Sequence, residues 1–325
     1  MQIGYFLSCE EYSPRELIEQ ARWAEEAGFE SLWISDHFHP WNDEQGQSAL
    51  VWSMIGAISQ VSSLPITTAV VCPTVRLHPA IIAQAAATSA VLTGGRFTLG
   101  VGSGEALNEH VTGARWPDTV VRLEMLEEAV AVIRQMWEGG FTDHHGPHYT
   151  VENARLYTLP DKPPPIYLSG FGLKSAALAG RIGDGYITTG PDADLISAFR
   201  EAGGSGKPVQ AGYKVCWGRD DDKCVDIAHR LWANQGLPGE LAQTLPSPRH
   251  FEQASSLVTP DSTRDSIAYG NDVERHVDAF RPYAKAGIDA VHVSQIGARF
   301  EETNARGFFD FYRDEVLPRL REVAG

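Results

Sequence analysis

The most constraining feature of this chain is an alternation, kept up from end to end, between short apolar runs and amphipathic stretches of helical period. Apolar runs fall at 3–7, 31–35, 66–71, 97–104, 165–170, 185–190, 209–218 and 289–297. Helices are expected near 14–27, 49–61, 79–92, 119–138, 172–182, 192–203, 220–233, 272–286 and 306–322. The first of these has its punctuation written out: Ser13 as cap, Pro14 in the first turn, Leu17, Ala21 and Ala24 on one face, and Gly28 as the stop. Strands that alternate with helices are joined by crossovers and run parallel. Eight such units are the number that closes a barrel. The expected fold class is therefore α/β, a (β/α)8 TIM barrel, with residues 1–325 reading as a single barrel domain. Two stretches interrupt the alternation. Residues 141–160 read as a hairpin insertion turning at Gly146-Pro147, and the Pro- and Ser-bearing segment 234–270 reads as a helical insertion. An open, doubly wound sheet would usually carry a Gly-rich dinucleotide turn after its first strand; here that place reads Ser8-Cys9-Glu10-Glu11.

Composition narrows the function classes. The chain of 325 residues is 43% hydrophobic, ample for a large core, and its formal net charge of -15 repels phosphate backbones. Nucleic acid is not an expected partner, and an anionic ligand needs local donors. Cys9, Cys72, Cys216 and Cys224 form neither a CxxC pair nor a zinc spacing, which fits free thiols in a reducing compartment. The N-terminal run lacks a basic region, and no apolar run reaches membrane-spanning length, so a cytoplasmic location with no membrane contact is expected. His144, His145 and His148 lie close in sequence, but a hairpin would splay them, and no metal is expected. "GVGSGE" at 100–105 has neither the register of a nucleophile elbow nor the lysine of a P-loop.

In a barrel the active site lies at the C-terminal ends of the strands. Those ends carry the chain's chemistry. Glu10 and Glu11 follow the first strand, and "SDHFHPW" places Asp36, His37, His39 and Trp41 after the second. Ser103, Gly104, Glu105 and Asn108 follow the fourth, Ser169 and Gly170 the fifth, and Thr188 and Thr189 the sixth. A histidine here can carry a proton or stabilise a developing anion, and Glu105 can serve as acid or base if buried. Each feature also has a bland reading: a polar loop for Asp36-His37, a rim core residue for Trp41, a plain strand-to-helix turn for the glycines.

Together, "SDHFHPW", "TTAVVCPTVRLHPAIIAQAAAT" and "GRFTLGVGSGEALNEHVTG" resemble the luciferase-like flavin/deazaflavin superfamily, and within it the F420-dependent glucose-6-phosphate dehydrogenase group. The resemblance covers essentially the whole chain. It implies an (α/β)8 barrel, usually a homodimer, that uses coenzyme F420 for hydride transfer between an alcohol and a carbonyl. By position it implies His37, Glu105, Trp41 and Glu10 as catalytic groups. It implies Asp36, a non-prolyl cis peptide at Ala69-Val70, Gly102, Ser103, Asn108, Ser169, Gly170 and Gly172 as the cofactor's neighbours. Trp41 and Thr189 would touch a small-molecule substrate. Glu105 is favoured as base and His37 as stabiliser of the reduced ring, with the roles exchangeable. Glucose 6-phosphate is not the expected substrate. Where the group holds phosphate with two lysines and an arginine, this chain has Asp192, Gln253 and the neighbourhood of Ser266. Arg249, Arg264 or Lys214 would have to compensate. An FMN-dependent monooxygenase and a non-catalytic deazaflavin-binding protein are the alternatives.

Overall fold

A computed structural model describes residues 1–324. In chain order its strands are β1 (Gln2–Leu7), β2 (Leu32–Ile34), β3 (Ile66–Thr68), β4 (Phe97–Val101), β5 (Thr142–His145), β6 (Thr150–Ala154), β7 (Ile166–Ser169), β8 (Gly185–Thr188), β9 (Val209–Cys216), β10 (Ala268–Tyr269) and β11 (Ala290–Gln295). Eight of them pair in parallel in the order β1-β2-β3-β4-β7-β8-β9-β11, and β11 returns to β1, closing the (β/α)8 barrel. β5 and β6 form an antiparallel hairpin outside it, and the two-residue β10 lies beside the end of β9. The hairpin is moored through Glu128, which accepts from the backbone N–H groups of His148 and Tyr149 and meets His144 Nε2 at 2.9 Å.

Local chemistry explains where elements start and stop. The helix Pro14–Ala27 opens on a capping box between Ser13 and Glu16 and closes at Gly28, whose φ of 90° suits glycine. It buries Leu17, Gln20, Ala21, Ala24 and Ala27, and Gln20 accepts from the Tyr5 hydroxyl at 2.8 Å. The barrel interior is filled by side chains rather than left open. Trp33 of β2 stacks on His292 of β11 at 4.4 Å and donates from Nε1 to Gln210 of β9 at 2.7 Å. Burial depresses His292 to a pKa of about 3, so it stays neutral and pairs through Nε2 with the Ser31 hydroxyl at 2.9 Å. Gly4 of β1 faces this ring; a Cβ there would stand 2.3 Å from His292 Cδ2.

Several boundaries differ from the sequence expectation. The apolar run 66–71 leaves the ladder at Thr68, where the Ala69-Val70 peptide is cis and only Val71 bridges back to Val101. The glycine-rich run 97–104 ends as a strand at Val101, and a short helix, Ala106–Glu109, follows. The helix expected over 272–286 is two, Val273–Asp278 and Arg281–Lys285, because Pro282 cannot donate into a continuing turn. The segment 234–270 contains the helices Leu241–Thr244, Pro248–Ser255 and Pro260–Ser266. Among the described residues, no helix is long and apolar enough to cross a membrane.

Candidate active site

Strand order decides which loops can meet. The ends of β1, β2, β3, β4, β7 and β8 are consecutive around one arc of the mouth, so the segments carrying Glu10, His37, Val70, Glu105, Ser169 and Thr189 share it. The long loop after β2 is pinned by polar ties. Ser48 Oγ donates to the His37 carbonyl at 2.6 Å, and Asn42 and Gln45 both donate to the Leu231 carbonyl. Gln45 also accepts from the Trp41 N–H at 2.8 Å. The Trp41 ring then lies 4.9 Å from His37 on one side and meets Phe251 edge-on at 5.0 Å on the other. Phe251 comes from the helical insertion, where the resemblance had set Gln253 and the neighbourhood of Ser266 near the substrate, but the sequence did not single out Phe251 itself.

At the centre stands the His37 imidazole. Its Nε2 is 3.2 Å from Glu10 Oε1 and 3.7 Å from Glu105 Oε1. Glu10 is only 3% exposed and accepts from the Ser8 and Ser35 hydroxyls at 2.9 and 2.6 Å. Burial would raise this carboxyl, yet the nearby charges of His37 and Lys214 and the Ser35 hydrogen bond bring it below its ordinary value. Asn108 lies against both His37 and Glu105, donating from Nδ2 to Glu105 Oε1 at 2.6 Å. The site is thus one histidine between two carboxylates, one buried and one at the mouth, beside an indole wall. Such a group can move a proton to or from an oxygen of a bound molecule.

Not every sequence candidate joins this cluster. The Asp36 carboxylate turns to Arg76, which also reaches Glu109; the guanidinium is nearly enclosed between the two acids. Burial pushes the Asp36 carboxyl up, with the Arg76 charge acting against it, and pushes Glu109 up to about 7. Val70, Gly102 and Ser103 form a second group at the ends of β3 and β4, where the Gly102 N–H donates to the Val71 carbonyl at 3.0 Å. Ser169, Gly170 and Gly172 lead into the helix Leu173–Ile182, with Gly172 as its cap. Thr189 is exposed beyond β8. Asp192 is used locally: its carboxylate caps the helix Ala193–Phe199, accepting from Asp194 and Leu195 N–H. Lys214 sits inside the barrel with its ammonium 3.3 Å from the Trp232 ring centroid. Burial lowers it to about 8, against the charges of Glu10 and Glu11. The Trp232 indole N–H donates to Glu11 at 2.8 Å, a contact that sequence spacing could not show.

A barrel of this topology with a proton-carrying cluster at its C-terminal mouth defines an α/β-barrel enzyme class, and the comparisons narrow it. The family model for luciferase-like monooxygenases matches residues 1–290, and the chain belongs to that family. The F420-dependent glucose-6-phosphate dehydrogenase of Amycolatopsis mediterranei (strain U-32) is 34% identical, with 99% of each chain covered. The enzyme of the same name from Mycolicibacterium smegmatis is 33% identical, covering 100% of this chain and 99% of its own. Among solved structures, an F420-dependent secondary alcohol dehydrogenase in complex with an F420-acetone adduct superimposes with a TM-score of 0.88 at 35% identity, covering 98% of this chain and 99% of its own. The coenzyme F420-dependent tetrahydromethanopterin reductase of Methanopyrus kandleri shares the fold, with a TM-score of 0.77 at 19% identity over 98% of this chain and 100% of its own.

Proposed function

We propose that this protein is a coenzyme F420-dependent oxidoreductase that interconverts an alcohol and a carbonyl, on a substrate other than glucose 6-phosphate. The observation that carries the proposal is the placement of His37 Nε2 within 3.2 Å of Glu10 and 3.7 Å of Glu105 at the barrel mouth. Full-length relatives named as F420-dependent dehydrogenases support it. The residues present fit such a cofactor. At the end of β4 the Gly102 backbone packs so closely on Val70 that a Cβ would stand 2.8 Å from Val70 Cγ2. After β7, Gly172 opens a ten-residue helix whose first-turn N–H groups suit a phosphate. Ala69, Val70, Gly102, Ser103, Ser169, Gly170 and Gly172 would hold the group, with the Asp36 backbone beside them.

When bound, F420 accepts or supplies a hydride. The chain's part is the proton. In the oxidising direction a carboxylate oxygen of Glu105 takes the hydroxyl proton, and in the reducing direction it returns it. His37, held beside Trp41, presents Nε2 toward the same space and steadies negative charge. Trp41 and Thr189 bound the substrate and exclude water. Asp192 argues against a phosphorylated sugar: by the resemblance an acid here takes the place of a phosphate-binding lysine, and a like charge penalises a dianion. Arg264 does not answer that need, being paired with Asp222 at 2.7 Å. Lys214 is shared between the fields of Glu10 and Glu11. Binding titrations with F420, FMN and NADP, followed by a panel of alcohols and ketones, test the reading. Tight F420 binding with reduction of the cofactor by a neutral alcohol supports it. Preference for FMN with oxygen consumption overturns it.

A further inference from the structure

Asn108 is 1% exposed, and both ends of its carboxamide are occupied. Its Oδ1 accepts from the backbone N–H groups of Phe38 at 2.8 Å and His39 at 3.0 Å. Those partners can only donate, so they fix which end of the amide is oxygen. The NH2 end therefore faces Glu105 Oε1 at 2.6 Å and His37 Nδ1 at 2.9 Å. An amide nitrogen can only donate. The geometry points to a role for Asn108 as a positioning residue that sets the histidine's proton: it holds neutral His37 as the Nε2–H tautomer and thereby leaves Glu105 as the base. This rests on the proposed function for its chemistry but not for its geometry.

The alternative tautomer has one partner in its favour. The His39 carbonyl lies 3.1 Å from His37 Nδ1 and could accept from it. That choice would set the Nδ1–H against an Asn108 N–H and turn the bare Nε2 lone pair on the Glu10 carboxylate 3.2 Å away. The Nε2–H tautomer satisfies Asn108 and Glu10 together and forgoes only the His39 carbonyl. A neutral ring with its proton on Nε2 has no lone pair to offer the substrate. It can donate a hydrogen bond to a developing oxyanion or to the reduced cofactor. Glu105 keeps Oε2 outside the Asn108 contact, and that oxygen is the acceptor for a hydroxyl proton.

Nitrogen NMR of the full-length apoprotein, labelled at histidine, reads the tautomer without cofactor or turnover. His37 is assigned by its loss in His37→Gln. The expected result is an unprotonated Nδ1 and a protonated Nε2 at neutral pH. In Asn108→Asp the oxygens still accept from Phe38 and His39 but face His37 with a lone pair, so Nδ1 becomes protonated. In Asn108→Ala the tautomer moves toward Nδ1–H on the His39 carbonyl. With F420 bound, Asn108→Asp loses about 10²-fold or more in kcat. A protonated Nδ1 in neutral wild-type His37, or an Nε2–H tautomer that persists in Asn108→Asp, overturns the inference. Should Asn108→Ala fail to fold, the wild type and Asn108→Asp still decide it. Failure to bind F420 would sink the functional reading and leave the tautomer result standing.

Discussion

The strongest stability prediction concerns Glu109, four residues beyond Glu105 on the short helix that carries Asn108. The Glu109 side chain is fully buried. It accepts from Arg76 N–H at 2.7 Å and Val75 N–H at 3.3 Å and meets the Arg76 guanidinium at 3.4 Å. Burial outweighs these partners and raises its pKa from 4.5 to about 7 in the folded protein. The folded state therefore holds the proton more tightly than the unfolded chain. The stability this contributes is fully present below 4.5 and is lost as pH rises through about 7. At about 1.4 kcal/mol per pH unit, the loss between pH ~5 and pH ~8 is about 2–3 kcal/mol. Glu109→Gln removes the titration while its amide oxygen goes on accepting from Val75 and Arg76. Urea unfolding across that pH range should show wild-type stability falling by about 2–3 kcal/mol more than the variant's. Parallel pH profiles for the two proteins would refute the reasoning, because a group that titrates alike folded and unfolded contributes no pH dependence.

Two further substitutions probe the floor and the rim. Gly4→Ala drives a Cβ to 2.3 Å from the His292 ring and 2.7 Å from the Ser31 hydroxyl, and thermal unfolding should show a loss of about 1–3 kcal/mol. Asp192→Lys removes a helix cap worth about 1 kcal/mol and puts a cation at the position where the resemblance implies a phosphate-binding lysine. Its KM for a phosphorylated sugar should fall relative to that for a neutral alcohol. Asp192→Asn, which keeps the cap and adds no cation, should shift that ratio less, and equal ratios in the two variants would argue against the charge explanation.

The barrel was legible because each strand announces itself as an apolar run and each crossover as a helical period. The helix 79–92 matches the expectation at both ends, since Pro79 starts it and the apolar period stops at Leu92. Boundaries failed where composition and backbone part company. The run 66–71 stays apolar after Thr68, although its hydrogen bonds no longer follow the ladder, and the pattern over 272–286 hides the break at Pro282. Of the site, the residue types at strand ends were readable because barrel geometry gathers those ends. Their wiring was not. Arg76 is 40 residues from Asp36 and 33 from Glu109, and only the closed sheet brings the three together. Lys214 looked like a possible phosphate ligand, yet its stem is enclosed and its charge lies under Trp232. Asn108 stood in sequence as a polar residue after a glycine loop and, by the resemblance, a neighbour of the cofactor; its tie to His37 was not readable, because its two backbone donors come from the loop after β2, 69 and 70 residues away.

The central claim is that His37 and Glu105 work as one proton-handling unit beside bound F420. It is tested most directly by following loss of oxidised F420 absorbance with an active alcohol in the wild type, His37→Asn and Glu105→Gln, with cofactor affinity measured in parallel. Both variants should bind F420 within a few-fold of wild type and lose about 10²-fold or more in kcat. Wild-type turnover in both variants, with the cofactor still bound, would contradict the account.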